Sequence, residues 1–173
     1  MGYSTEFKGS FQTDREMDEQ FVSYINRFAH IRHMKRNEDR LKKCYPDWKE
    51  NCFMGQLGKD GQYFTGDDGW KPSNYTSFSP QGKDDSVTDY NAVPDGIPSL
   101  WCQWVAGEDR KSIEWDGGEK FHHYVEWLVY LIENFFKPAG YVLNGDVKWQ
   151  GEDMDDRGYI HVSNNQVRTE PLE

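Results

Sequence analysis

The chain has few cysteines, no long apolar run and too little positive charge to balance its acids, and each shortage excludes something. Its three cysteines, Cys44, Cys52 and Cys102, are odd in number and too few for a disulfide framework. They point to reduced thiols and a reducing, cytoplasmic compartment. The longest strongly apolar stretch, Trp127 to Ile132, falls far short of the ~20 residues that a helical membrane span needs. The opening Met1-Gly2-Tyr3-Ser4-Thr5-Glu6 has neither a basic region nor an apolar core, so it does not read as a signal peptide. Glu6 also stands where a myristoylation motif carries Ser or Thr. Twenty Lys and Arg face 30 Asp and Glu, a net charge of -10, which argues against nucleic acid and anionic membranes as partners.

Motifs are also missing. There is no Walker Gly-Lys-Ser/Thr, no Gly-x-Gly-x-x-Gly after a strand and no ordered Asp ladder of a calcium loop. No His-x3-His pair occurs, and Cys44 and Cys52 lack zinc-ligand spacing. The expectation is therefore no cofactor and no metal site.

What the chain does have is aromatic residues. They make up 16% of its 173 residues, with seven Trp, ten Tyr and ten Phe, while the whole apolar fraction is 36%. Large rings bury much area per residue, so a real core is expected despite a mean hydropathy of -0.95. The length fits one domain, residues 1–173.

Tyr3, Thr5, Phe7, Gly9 and Phe11 alternate with polar residues, which predicts a strand over 3–13 with one face covered. Phe21, Tyr24, Ile25, Phe28 and Ile31 recur at helical spacing over 18–34, with Asp18 as the expected N-cap. From Cys44 to Ser99 no period persists and Gly and Pro are frequent, yet the stretch carries nine Trp, Tyr and Phe. It reads as a long irregular, aromatic-rich excursion that packs back on the domain. Two short strands are expected at 100–105 and 112–115, with Trp101 and Trp104 on opposite sides. Asp116 and Glu119 have capping-box spacing and predict a central helix running to Lys137-Pro138-Ala139-Gly140. Residues 141–150 and 158–162 read as a hairpin, followed by an Asn164-Asn165 turn and a short edge strand. The fold class is α+β: an antiparallel or mixed sheet with two main helices on one face.

The runs Ser99 to Val105, Ile113 to Phe121, Tyr124 to Leu128, Gly140 to Glu152 and Gly158 to Val162 resemble those of an uncharacterised family of bacterial and bacteriophage proteins. The opening Gly2 to Thr5 and the run Arg32 to Arg36 are similar too. The resemblance covers most of the chain. It implies a compact cytoplasmic domain, an accessory protein of mobile elements, and carries over no catalytic residue.

Three sets of residues are candidates for chemistry. The carboxylates Glu114, Asp116, Asp146 and Glu152 would serve as acid and base if they converged on one sheet face, although caps and solvated positions explain them as well. Arg32, Lys35, Arg36 and Arg40 belong to a basic stretch, residues 30–43, with a local charge of +4. They are the expected contact for an anion or a partner, set against the plainer role of a charged helix end. Trp101, Trp104 and Trp149 are stacking candidates that core packing also explains. The expected function is a non-enzymatic binding or accessory protein engaging a macromolecular partner, in the manner of an immunity protein or a phage-encoded inhibitor. The alternative is a small-molecule or nucleotide-binding protein that takes an anion, including a metal-assisted hydrolase.

Overall fold

The computed structural model describes residues 2–46, 57–66 and 81–173. The architecture is α+β. Six strands form one antiparallel sheet in the order β4-β5-β1-β6-β7-β8: β1 (Thr5–Thr13), β4 (Trp104–Ala106), β5 (Ser112–Trp115), β6 (Leu143–Gly151), β7 (Arg157–Ser163) and β8 (Gln166–Pro171). Two more, β2 (Lys35–Arg36) and β3 (Val87–Asp89), pair antiparallel by themselves. The helices are α1 (Glu19–Ala29), α2 (Glu38–Cys44) and α3 (Tyr124–Leu131). A π turn (Ile132–Phe136) and a last helical turn (Lys137–Ala139) extend α3. The chain divides into two compact units, Met1–Val22 with Gln103–Glu173, and Ser23–Cys102.

In the first unit the alternation of β1 does what its period implies. Phe7 and Phe11 are buried while Glu6, Lys8 and Gln12 are exposed. Phe7 meets Trp104 at 5.3 Å and Tyr124 at 4.9 Å between ring centroids, and Phe11 meets Trp104 at 5.6 Å. These edge-to-face contacts suit the ring quadrupoles. Truncating one such buried Phe to Ala costs about 3–5 kcal/mol in comparable cores. Tyr124 lies 6.2 Å from Trp149, so the start of α3 packs on the covered sheet face. Indole N–H groups are placed as carefully as the rings. Trp104 Nε1 donates to the Tyr124 carbonyl at 2.8 Å, Trp149 Nε1 to Asp156 Oδ1 at 2.9 Å and Trp115 Nε1 to Gln103 Oε1 at 3.1 Å.

The helix expected from Asp116 begins later. Asp116 Oδ1 accepts from the Gly118 N–H at 2.7 Å, a local turn rather than a helix cap. Lys120 and His123 then adopt positive φ, so the chain cannot wind until Tyr124. Glu119 contributes its carbonyl to Gln103 Nε2 at 2.8 Å and makes no capping box. The helix stop is as expected, with Gly140 left-handed at φ 81°. The β6–β7 hairpin and the edge strand β8 also match expectation, and Asn164 and Asn165 hold the β7–β8 turn at φ 49° and 68°. Close approach of β1 and β6 requires glycine at 145. Its φ is +139°, and a Cβ there would lie 2.9 Å from the Ser10 carbonyl oxygen.

In the second unit, Ile31, Leu41, Tyr45, Leu57 and Phe64 form a separate buried group. The irregular excursion expected over 44–99 contains a 3-10 turn (Lys59–Gly61) and β3 where it is described. Its parts at 47–56 and 67–80, with Trp48, Cys52, Phe53, Trp70, Tyr75 and Phe78, lie outside the described residues.

Candidate functional site

The basic stretch of the second unit forms a corner, β2 turning into α2. The corner is organised by Arg36, which alternation along β2 points inward and leaves only 2% exposed. Its guanidinium lies 3.2 Å from Asp84 Oδ2 and donates to Ser86 Oγ at 2.7 Å. Tyr45 donates its hydroxyl to the same Asp84 oxygen at 2.7 Å, and the Ser86 N–H donates to Asp84 Oδ1 at 2.8 Å. Desolvation, reinforced by Asp84, raises the Tyr45 pKa, so its hydroxyl stays a donor. Taking an Arg–Asp pair out of water is costly unless its hydrogen-bonding capacity is used, and these contacts use it. Asn37 caps α2 by accepting from the Arg40 N–H at 3.0 Å, which fixes the direction of the helix leaving the corner.

Arg36 is therefore a scaffold residue and is not available to an outside anion. Arg32 is also engaged: its guanidinium lies 3.9 Å from the Tyr90 ring centroid, and its Nη2 donates to Asn91 Oδ1 at 3.2 Å. Lys35 and Arg40 differ. Among the described residues no carboxylate lies within 4.0 Å of either side-chain cation, and the same holds for Lys43. Lys35 borders an open cavity of about 730 Å³ shared with Lys59, Glu38, Asp60 and Asp89. Arg40 and Lys43 border a second one of about 520 Å³, with Cys44 and Asp85. Burial raises the Cys44 thiol pKa, so it is not a nucleophile in waiting. Lys59 donates to Asp95 at 2.7 Å, which raises the lysine's pKa and lowers the carboxyl's. Both linings thus carry charges of both signs.

The four candidate carboxylates have separate employments. Asp116 closes its own turn, and Glu152 Oε1 accepts from the Ser4 N–H at 2.7 Å. Asp146 accepts from His161 Nδ1 across the β6–β7 register, and Glu114 is exposed on β5 opposite Val105. Among the described residues no group of three or more His, Cys, Asp or Glu is placed to hold a metal ion. Of the stacking candidates, Trp104 and Trp149 are buried and bonded through their indoles, while Trp101 is 38% exposed. His161, Tyr159, Asp84 and Tyr45 are not among the residues that the sequence singles out. The first two were legible as the outward positions of the hairpin strand; the last two were not, because their partners lie tens of residues away.

Compared with models of protein families, with curated proteins and with solved structures, the chain matches none. No helix among the described residues is long and apolar enough to cross a membrane.

Proposed function

We propose that this is a non-enzymatic cytoplasmic binding protein that engages a protein partner through the β2–α2 corner, as an immunity protein or a phage-encoded inhibitor would. One observation carries the reading. Lys35, Arg40 and Lys43, cations without a carboxylate within 4.0 Å among the described residues, border two open cavities that also hold Glu38, Asp39, Asp85 and Asp89. A mixed-sign surface on a buried ion-pair scaffold suits the mixed charges of a protein surface better than a phosphate, which the acids would repel. The dispersed carboxylates give less support to a hydrolase.

The test is affinity capture at low salt with the wild type, the double variant Lys35→Glu/Arg40→Glu, and Lys137→Glu as a control on the other unit. A partner held by the wild type and the control but lost by the double variant supports the proposal. No specific partner, or equal capture by all three proteins, ends it.

A further inference from the structure

The outer side of the six-stranded sheet is sorted into rows by the strand register. One row runs Ser10, Asp146, His161, Arg168 across β1, β6, β7 and β8. The next runs Lys8, Lys148, Tyr159, Glu170. In the first row His161 occupies the acids. Its Nδ1 bonds Asp146, and its Nε2 lies 3.7 Å from Glu170, which reaches over from the second row. In the second row Lys8 and Lys148 are left directly opposite one another, both exposed, with no carboxylate within 4.0 Å among the described residues. Like charges facing across an antiparallel pair are destabilising. In a chain of net charge -10, two lysines so placed are conspicuous. Glu6, the remaining acid nearby, sits two positions along β1 and forms no ion pair with Lys8. Beside Lys148 in the row stands Tyr159, whose ring stacks on His161 at 5.8 Å and 21°.

We infer that this row binds a phosphate monoester carried on an aromatic base, a mononucleotide-like ligand, with Lys8 and Lys148 on the phosphate and the Tyr159 edge of the aromatic column beside the base. Two lysines directly opposite one another across β1 and β6 match the -1.5 to -2 charge that a phosphate monoester carries near neutral pH. Flat aromatic faces accept bases by stacking. The strongly acidic chain repels an extended polyanion and favours a ligand no larger than the patch. The site lies wholly in the first unit and does not depend on the partner surface proposed for the second.

Calorimetric and proton–nitrogen NMR titrations with AMP, adenosine, inorganic phosphate and a short single-stranded oligonucleotide test it, on the wild type and on Lys8→Gln, Lys148→Gln and Tyr159→Leu. All three substitutions are at outward positions, and thermal unfolding checks that each variant is folded. Expected are AMP binding that each lysine variant weakens about tenfold, weaker binding of phosphate alone, and amide shifts centred on residues 8, 148 and 159. No AMP binding at millimolar concentration overturns the inference. So does AMP binding that the variants leave unchanged, amide shifts centred instead on Lys35 and Arg40, or binding of the oligonucleotide without AMP.

Discussion

His33 and Arg36 stand three positions apart in the same basic run, and both are buried. The His33 ring packs on Phe28 at 4.3 Å between centroids, tilted by 45°, and its Nε2 bonds the Phe28 carbonyl at 2.8 Å. Burial holds its pKa down to about 3, from an ordinary 6.5. The unfolded chain therefore takes up a proton at this site below about pH 6.5 while the folded chain does not. The stability contributed by neutral His33 is complete above that pH and is lost as the pH falls toward 3. By pH 5 the loss from this residue amounts to about 2 kcal/mol. Urea unfolding at pH 7 and pH 5 checks it: the wild type is expected to lose about 2 kcal/mol more than His33→Gln, and parallel losses would remove His33 as the cause. For Arg36 the decisive partner is Asp84. Asp84→Ala leaves the guanidinium without its carboxylate and is expected to cost about 3–5 kcal/mol. The apolar pair Arg36→Met/Asp84→Leu should cost less than Asp84→Ala alone by the same measurement, since no charge then stays behind. Nothing local to residues 30–43 encodes this pairing. The burial of Arg36 is set by Asp84 and Ser86, about fifty residues further on, in a stretch with no periodicity.

Among the elements, those that follow an alternating pattern were legible from sequence: β1, the β6–β7 hairpin and the Asn164-Asn165 turn. Period-2 alternation and two left-handed turn residues leave few other structures open. The start of α3 was not legible. Asp116 followed by Gly117-Gly118-Glu119 fits both a capping box and an Asx turn, and the choice was made by Gln103, which takes the Glu119 carbonyl. The β7–β8 turn shows two effects in competition. Glycine tolerates positive φ better than asparagine, which favours a Gly at either turn position. Asn165, however, accepts from the Leu143 N–H at 2.7 Å and donates to the Tyr141 carbonyl at 3.0 Å. Asn165→Gly is therefore expected to destabilise by about 1–2 kcal/mol, because two hydrogen bonds outweigh the relief of strain. Asn164→Gly, where no side-chain hydrogen bond is lost, is expected to be neutral or to stabilise by up to about 1 kcal/mol. Thermal melts of the two variants that moved together would remove this distinction.

Across the whole chain, charge is the property that composition predicts best. With a pI near 4.9, solubility is expected to pass through a minimum close to that pH, where net repulsion between copies vanishes. A light-scattering series from pH 4 to 8 that showed no such minimum would mean that charge does not govern its solubility. The sign of the charge makes an anionic ligand unusual and a basic partner favourable. It could not say which cations are free, since that follows from the sheet register and from His161 drawing two acids to itself. The indole hydrogen bonds described for the first unit have a practical consequence. Three Trp side chains there give their protons to three chemically different acceptors: a peptide carbonyl, an amide oxygen and a carboxylate. Each should therefore resonate at its own frequency in a proton–nitrogen spectrum. Trp104 reads the seam between strand and helix, Trp115 the start of the loop before it, and Trp149 the hairpin tip through Asp156. The chain thus carries three internal signals, each of which should fade at its own point along an unfolding titration.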